Sequence, residues 1–252
     1  MKKEMIIGKN GYNIPGLNNL SPGQQKAVII IHGFGSTKEN PTAMALAKEL
    51  PKHGIGTYSF DFPAHGESPV DGEMLRIENC LNDLAVIEEH VHKQLPNAEI
   101  VYFSSSFGAY INLIYLATRK HLGRKAFLRC AAVNMPEIFM NRLTPEDYAL
   151  FEKQGYATRD DEKYDHPLKI VRGFLTDLET HDVFELYQPG TVELAMIHGT
   201  KDETVDIVEA RKFARYSGAK LTEVEGADHR FLIPEGGMEQ VLKTAVQFIK
   251  AV

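Results

Sequence analysis

Short apolar runs along the chain alternate with longer segments whose apolar residues recur at helical spacing. Residues 27–31 form an unbroken run of mostly β-branched side chains, which is typical of a parallel strand covered on both faces. Residues 74–95 carry apolar side chains three or four positions apart and stop before Pro96, as an amphipathic helix does. The same reasoning predicts another strand beginning at Ile100, strands at 55–60, 126–133, 192–197 and 219–224, and helices at 39–52, 204–216 and 237–250.

This alternation predicts an α/β fold. Strands that alternate with helices pack into a mostly parallel sheet with helices on both faces, because the connections are right-handed crossovers. Two short strands near 4–7 and 11–17, joined at Asn10-Gly11 by a type I′ turn, add an antiparallel edge. The sheet is therefore expected to have eight strands, within a single domain that covers residues 1–252.

The regular alternation of strands and helices is interrupted between about 134 and 189. Thr144-Pro145 has the features of a helix start, and Gly155 is placed to end that helix. The segment 165–167 is predicted to start a second helix, which carries Ile170, Val171, Phe174, Leu175 and Leu178. We predict that the whole segment is a cap inserted over the ends of the strands. The alternative is a packed surface excursion.

Composition narrows the functional classes. The 252 residues are 43% apolar and 25% charged, which is ordinary for a globular protein, and the net charge of −6 argues against nucleic-acid binding. The apolar run near the N-terminus is too short for a signal peptide, and no window reaches the length of a membrane span. A cytoplasmic protein is therefore expected. Cys80 and Cys130 are expected to be free, buried thiols.

The candidate chemistry begins at Ser106, which lies between the strand beginning at Ile100 and an apolar segment too long for another strand. Ser104 and Gly108, two positions before and after it, are small enough for a sharp strand-to-helix turn. This pattern is that of a nucleophile elbow, which exposes a serine hydroxyl above the sheet and directs the next amide at developing negative charge. Taken alone, the pattern also fits a serine-rich turn that caps a buried helix.

Two further turns supply the groups that a serine nucleophile needs. Asp202 and His229 each follow a predicted strand, and the carboxyl ends of parallel strands share one edge of a sheet. There the imidazole would remove the hydroxyl proton, and the carboxylate would orient the imidazole. The order serine, acid, histidine is also that of α/β hydrolases.

Each of these roles has competitors in the sequence. Asp206, four residues after Asp202, is an alternative acid, although its place near a helix start suits an interaction with the helix dipole. Asp228 adjoins His229, but adjacent side chains normally diverge. Three other histidines that follow strands are assigned to holding loops, namely His32, His65 and His198. Because there is no His-Glu-x-x-His motif or cysteine cluster, neither a metal nor a cofactor is predicted.

With these residues, the sequence resembles the α/β-hydrolase superfamily. Within it, the likeness is to bacterial cinnamoyl and feruloyl esterases and to serine hydrolases of the monoacylglycerol-lipase type. It covers nearly the whole chain and rests on the segments 32–35, 61–68, 104–108, 198–202 and 226–229. The sequence departs from those enzymes at Ser104-Ser105, where they usually have Gly-His, at Ala64, where they have Gly, and at Asp206, where proline is frequent.

The resemblance implies Ser106 as nucleophile, His229 as base and Asp202 as acid, with the backbone amides of Phe34 and Phe107 as the oxyanion hole. It implies a carboxylesterase that acts on a small-molecule ester without a cofactor. Four apolar side chains of the predicted cap indicate a pocket for a small to medium acyl or aryl group, namely Phe139, Met140, Phe151 and Phe174. The alternatives are an amidase or thioesterase with the same triad, or a non-catalytic ligand-binding protein of this fold. A homodimer is also left open.

Overall fold

The computed structural model describes residues 1–162 and 164–251, and its centre is an eight-stranded sheet. In chain order the strands are β1 (Lys2–Ile7), β2 (Asn13–Asn19), β3 (Lys26–Ile31), β4 (Ile55–Phe60), β5 (Glu99–Ser105), β6 (Lys125–Arg129), β7 (Tyr156–Arg159), β8 (Leu168–Val171), β9 (Glu193–Gly199) and β10 (Lys220–Val224). The large sheet has the order β1-β2-β4-β3-β5-β6-β9-β10, and β7 pairs with β8 separately. From β4 to β10 its strands are parallel, whereas β1 and β2 are antiparallel to their neighbours. The predicted fold class is confirmed.

Helices pack on both faces of this sheet. They are α1 (Pro41–Glu49), α2 (Ile77–Gln94), α3 (Phe107–Thr118), α4 (Met135–Met140), α5 (Pro145–Gln154), α6 (Arg172–Glu179), α7 (Val183–Leu186), α8 (Ile207–Ser217) and α9 (Gly237–Lys250). Apolar residues of α1 and α9 join one buried cluster, and those of α2, α3 and α8 join another. None of the helices in the described part of the chain combines the length and the apolar surface needed to cross a membrane.

Strand β3 shows why both faces must be covered. Ala27, Ile29 and Ile31 belong to the cluster with α2 and α3, whereas Val28 and Ile30 belong to the cluster with α1 and α9. None of these five side chains is more than 2% exposed. Successive side chains of a strand point to opposite faces, so an unbroken apolar run fits a strand that is buried on both sides.

The edge hairpin closes through a longer loop than the sequence predicts. Ile7 pairs with Asn13, so the loop spans residues 8–12. Within it, the Gly8 amide donates a hydrogen bond to the Tyr12 carbonyl at 3.0 Å. Gly11 takes a φ of +82°, which is the conformation that its residue type favours. The antiparallel edge is therefore present, but the two-residue turn at Asn10-Gly11 is wrong.

Helices α4–α7 and strands β7–β8 form an insert between β6 and β9. Helix α5 begins with a capping box at Thr144 and ends at Gly155, as predicted. The second helix begins later than predicted, because residues 168–171 form β8, antiparallel to β7, and α6 starts only at Arg172. Ile170 and Val171 suit a strand, and a local pattern does not reveal the distant partner that β8 pairs with.

The insert contacts the loops at the carboxyl ends of the parallel strands. The Asp165 amide donates to the Gly35 carbonyl at 3.1 Å, and His166 Nε2 lies 3.0 Å from the Ala64 carbonyl. At the start of α2, the Arg76 guanidinium binds the Asp177 carboxylate through two hydrogen bonds of 2.6 Å. Bidentate pairs of this kind restrict orientation as well as distance. The insert is thereby attached to the loops that follow β3 and β4 and to the start of α2.

Asp83 on α2 is a buried carboxylate of the core. Burial raises its pKa to about 7, and the Tyr12 hydroxyl, which donates to Oδ2 at 2.9 Å, offsets only part of that effect. Oδ1 has no hydrogen-bond partner among the described residues. Because the pKa is higher in the folded chain than the ordinary value of about 3.9, the native state binds this proton more tightly than the unfolded state does. The resulting stability is complete below about pH 4 and is lost as the pH rises to 7 and above.

Replacing this residue, as in Asp83→Asn, removes the titration. We expect the free energy of unfolding of the variant, relative to wild type, to rise by on the order of 2–3 kcal/mol between pH 5 and pH 8. Urea unfolding followed by circular dichroism at several pH values measures the difference. The control is Glu89→Gln, an exposed carboxylate on the same helix. A difference for Asp83→Asn that does not change with pH would contradict this account.

Candidate active site

Ser106 occupies the sharp turn between β5 and α3. Its φ of +52° is unusual for a residue with a side chain, and the turn is held because its amide donates to the Arg129 carbonyl at 2.9 Å. Ser104 is fully buried, and its hydroxyl accepts a hydrogen bond from Asn112 Nδ2 at 3.2 Å. The structure therefore places the Ser106 hydroxyl at the carboxyl end of β5, in the turn that the motif predicts.

Gly108 allows α3 to approach the end of β3. A Cβ at this position would lie 2.3 Å from the His32 carbonyl oxygen and 2.7 Å from that of Ile31, and both are backbone atoms of a packed segment. We expect Gly108→Ala to destabilise the protein by about 3 kcal/mol or more, because neither backbone can move without disturbing the sheet.

The matched control for this variant is Gly218→Ala. Unlike Gly108, Gly218 has a positive φ, +76°, and no described residue lies within 4 Å of the added Cβ, so only the backbone strain of about 1 kcal/mol is expected there. Urea unfolding midpoints of the two variants measure the comparison. Equal losses of stability in the two variants would mean that the end of β3 moves to make room for the added Cβ on α3.

The structure brings Ser106, His229 and Asp202 together at one edge of the sheet. His229 Nε2 lies 3.1 Å from Ser106 Oγ, and His229 Nδ1 lies 2.8 Å from Asp202 Oδ2. The Asp202 carboxylate accepts the hydrogen bond from Nδ1–H, which leaves the lone pair of Nε2 directed at the serine hydroxyl. In this arrangement the imidazole can take the hydroxyl proton.

The Asp202 side chain is fully buried and surrounded by donors. Oδ1 accepts from the amides of Thr204 and Val205, both at 2.8 Å, and His198 Nε2 lies 3.2 Å from Oδ2. Burial alone would raise the pKa of Asp202. The hydrogen bonds from His198 and His229, aided by the Val205 amide, outweigh burial and hold that pKa far below its ordinary value. The carboxylate therefore stays charged where it faces His229.

His198 has a role that sequence reasoning missed. It is assigned there only to holding a loop, and it does hold one, since Nε2 lies 2.9 Å from the Val205 carbonyl. The same atom also contacts Asp202, four residues later. The signal was the spacing His-x-x-x-Asp of residues 198 and 202, at the end of the strand predicted over 192–197. His198 thus helps to fix the carboxylate that His229 uses.

The structure places the alternative acids elsewhere. The Asp206 carboxylate caps α8 by accepting from the Val208 amide at 2.9 Å. Asp228 Oδ1 accepts from the Ile233 amide at 3.0 Å. Both carboxylates therefore accept from backbone donors of their own segments, whereas the carboxylate that accepts from His229 Nδ1–H is that of Asp202.

The other two histidines in turns after strands are fully buried and bond to backbone. His32 Nδ1–H donates to the Gly33 carbonyl at 2.7 Å, and its Nε2 accepts from the Phe62 amide at 3.1 Å. His65 Nδ1 lies 2.8 Å from the Pro63 carbonyl. Burial lowers the pKa of both rings, that of His65 to about 3 with further help from His32. Both are thus neutral groups that hold loops.

The two amides predicted for the oxyanion hole belong to backbone segments next to the serine. Phe107 is the first residue of α3 and directly follows Ser106. Phe34 follows Gly33, where an added Cβ would lie 3.3 Å from Ser106 Cβ, so this backbone runs beside the serine. Neither amide donates a hydrogen bond to another described residue. Neither N–H group is therefore occupied by an acceptor from the described residues.

A cavity of about 500 Å³ opens at Ser106 and His229, within the range of small-molecule sites. Of the four pocket residues proposed from the sequence, Phe139 is on its wall, whereas Met140, Phe151 and Phe174 are not. Phe174 is fully buried behind it, and Phe151 is only 4% exposed. The wall is completed by side chains that sequence reasoning did not select, among them Arg129, Met135, Ile138, Tyr164, Leu232 and Met238.

The Phe34 side chain joins the insert to the sheet domain. Its ring packs against Phe139, Tyr164 and Phe174, with centroids 5.5, 5.7 and 6.1 Å away. It also lies on the cavity wall. The ring is therefore placed both to pack against the insert and to contact a group bound in the cavity.

Three side chains below the site offer metal-ligand atoms within 4.8 Å of one another, namely Cys130, His198 and Asp202. Asp202 is already engaged by His229, and burial raises the pKa of the Cys130 thiol well above its ordinary value. A thiol that keeps its proton is a poor metal ligand. Cys80 is likewise fully buried with a raised pKa, so both cysteines are free, enclosed thiols, as predicted.

Comparison with solved structures supports the fold over nearly the whole chain. A protein from Agrobacterium vitis S4 superposes with a TM-score of 0.83 and 18% identity, covering 99% of this chain and 98% of the other. Est1E from Butyrivibrio proteoclasticus with ferulic acid bound superposes with a TM-score of 0.82 and 20% identity, covering 98% of this chain and 97% of Est1E. Alpha/beta hydrolase domain-containing protein 10 from mouse superposes with a TM-score of 0.75 and 17% identity, covering 99% of this chain and 98% of the mouse protein. These TM-scores, at low sequence identity, show a shared fold.

The sequence also matches a protein-family model. No curated protein matches it at a significant level. Residues 22–152, just over half of the chain, match the model of the family described as serine aminopeptidase, S33. The matched segment includes β3, the Ser106 turn and α3, and it ends before Asp202 and His229. The chain therefore belongs to the serine aminopeptidase S33 family, within the α/β-hydrolase superfamily.

Proposed function

We propose that this protein is a serine esterase that cleaves carboxylic esters of small to medium acyl or aryl groups. The observation that carries the proposal is the continuous hydrogen-bond path from Ser106 Oγ through His229 to the buried Asp202 carboxylate. A serine, an imidazole and a carboxylate in this order form a nucleophile, a general base and a group that orients the base. The family assignment supports hydrolysis as the reaction class.

The reaction proceeds through an acyl-enzyme. His229 Nε2 takes the proton from Ser106 Oγ while that oxygen bonds to the ester carbonyl carbon, and the carbonyl electron pair moves onto its oxygen. The amides of Phe34 and Phe107 stabilise this oxyanion. The carbon–oxygen bond to the alcohol then breaks, and the alcohol leaves with the proton from His229. Water then attacks the acyl-enzyme through the same steps, with His229 as the base, and the acid is released from Ser106.

The cavity sets the size of the group that fits. Its volume of about 500 Å³ and the apolar side chains on its wall, such as Met135, Ile138 and Leu232, suit an acyl or aryl group of moderate size. The insert closes one side of it through Ile138, Phe139 and Tyr164, so we infer that the insert acts as the cap expected from the sequence. Ferulic acid, bound in the Est1E structure, is an aryl acid of this size class.

Two measurements test the proposal. Release of 4-nitrophenol from 4-nitrophenyl acetate and butyrate tests turnover, and a fluorophosphonate probe followed by peptide mass spectrometry tests covalent capture at Ser106. We expect both turnover and a single labelled peptide that contains Ser106. A protein that hydrolyses neither ester and does not react with the probe is a ligand-binding member of the fold.

Amide-bond cleavage is the second candidate, and the family description favours it. The same triad can attack an amide, but the leaving amine must then accept the proton from His229 more completely than an alcohol does. Turnover of alanine 4-nitroanilide and of acetyl-alanine 4-nitroanilide, compared with that of 4-nitrophenyl butyrate, separates the two. Nitroanilide rates that match the ester rate would favour the amidase.

A further inference from the structure

Arg129 is a buried cation on the cavity wall. It is the last residue of β6, lies beside Ser105 in the register of the sheet, and is only 8% exposed. Its guanidinium carries five N–H donors, yet its side chain makes one hydrogen bond to a described residue, from Nη2 to the His229 carbonyl at 3.0 Å. Nε is buried without a partner there. A charge removed from water in this way normally meets an opposite charge.

None of the acidic side chains on the described part of the cavity wall forms an ion pair with Arg129. Arg159, on the same wall, is held by the Asp147 carboxylate through hydrogen bonds of 2.7 and 3.0 Å. Among residues 1–162 and 164–251, Arg129 has no such ion pair, and the Phe231 ring lies 5.1 Å from its Cζ. The Glu203 carboxylate binds the His229 amide at 3.1 Å. Asp160 and Asp161 also line the cavity but are exposed, where water screens their charge.

We propose that Arg129 binds a carboxylate of the substrate, so that the esters cleaved at Ser106 carry a negative charge. This inference rests on the proposed esterase function and names its substrate class. A guanidinium and a carboxylate match in shape and charge, and the low exposure of Arg129 strengthens their attraction. The carboxylate can belong to the acyl part of the ester or to its alcohol part.

The test uses two pairs of esters, each of which differs only in charge. The acyl pair is mono-4-nitrophenyl adipate and its methyl ester, followed by release of 4-nitrophenol. The alcohol pair is 4-acetoxybenzoate and its methyl ester, followed by release of acetate. In each pair the ratio of kcat/KM for the anionic ester to that for the neutral ester is measured for wild type, Arg129→Gln and Arg129→Lys.

We expect one of the two pairs to show a ratio about 10- to 100-fold in favour of the anionic ester in the wild type. Arg129→Gln should bring this ratio down to about one. Arg129→Lys keeps the charge but loses the fork of donors, so it should retain an intermediate ratio. The pair that shows the preference identifies the part of the substrate that carries the carboxylate.

A structural role for Arg129 gives a different result. Loss of the hydrogen bond to the His229 carbonyl would slow both members of a pair equally and leave the ratios unchanged, which would overturn the proposal. Wild-type ratios near one in both pairs, with Ser106 labelled by the fluorophosphonate, would overturn it while sparing the esterase function. Absence of both turnover and labelling would overturn both. Circular dichroism and the unfolding midpoint establish that each variant is folded.

Discussion

Ser106→Ala should lower kcat for 4-nitrophenyl butyrate by a factor on the order of 10⁵ to 10⁶. The variant removes the only atom that can form the acyl-enzyme in the proposed reaction, and triads lose about this much when the nucleophile is deleted. The residual rate reflects the amides of Phe34 and Phe107 and substrate binding, which the variant leaves in place. Initial rates and fluorophosphonate labelling measure the effect, and labelling should disappear completely.

The control for this variant is Ser217→Ala. Ser217 lies at the end of α8, away from the cavity wall, and its hydroxyl bonds to the Phe213 carbonyl at 2.8 Å. Its loss should leave both kcat and labelling within about twofold of wild type. A Ser106→Ala protein that is folded and retains more than a tenth of wild-type kcat would show that another nucleophile does the work.

Asp202→Asn should lower kcat by about 10⁴-fold. The amide can still bond to His229, but its NH₂ group can face Nδ1, which then favours the tautomer that carries its proton on Nε2 and cannot accept one from Ser106. The variant also loses the negative charge that stabilises the imidazolium formed during attack. Steady-state rates at pH 7.5 with 4-nitrophenyl butyrate measure the loss.

The neighbouring acid provides a matched control. Asp206→Asn keeps the cap on α8, because asparagine caps helices about as well as aspartate. Its kcat should therefore stay close to that of wild type. If Asp206→Asn loses as much activity as Asp202→Asn, the acid has been assigned to the wrong side chain. Unfolding midpoints of both variants separate loss of chemistry from loss of structure.

Much of this fold follows from short-range patterns. β3 and the helices on its two sides are predictable because an unbroken apolar strand must be buried on both faces. The positions of Ser106, Asp202 and His229 at one edge follow from the same parallel order, since each comes directly after a strand. The hydrogen-bond distances among them cannot be predicted from that order, because they depend on how loops 123 residues apart along the chain pack against each other.

The sequence predictions that the structure contradicts depend on contacts between separate segments of the chain. Residues 168–171 were expected to be helical, yet they pair with β7 because a strand partner is available nine or more positions away. Among the pocket residues, Phe151 and Phe174 are apolar and lie in the insert as expected, but the orientation of α5 and α6 buries them behind the wall. A pattern along the chain does not fix the rotation of a short helix.

Arg129 illustrates a signal that was present but was not used. It interrupts the apolar run 126–133, a stretch otherwise suited to a covered strand. A charged residue in such a run normally needs a compensating interaction, because burying it alone is costly. The charged residue in this run is therefore a sequence signal for a binding role at the end of β6.

The enclosure of both native thiols has a practical use. Maleimide reagents need an accessible thiolate, and neither Cys80 nor Cys130 offers one in the folded protein. A cysteine introduced at the exposed Tyr148 on α5 could therefore carry a fluorophore without removal of either native cysteine. Its emission, recorded during stopped-flow mixing with substrate, would follow the position of the insert in real time.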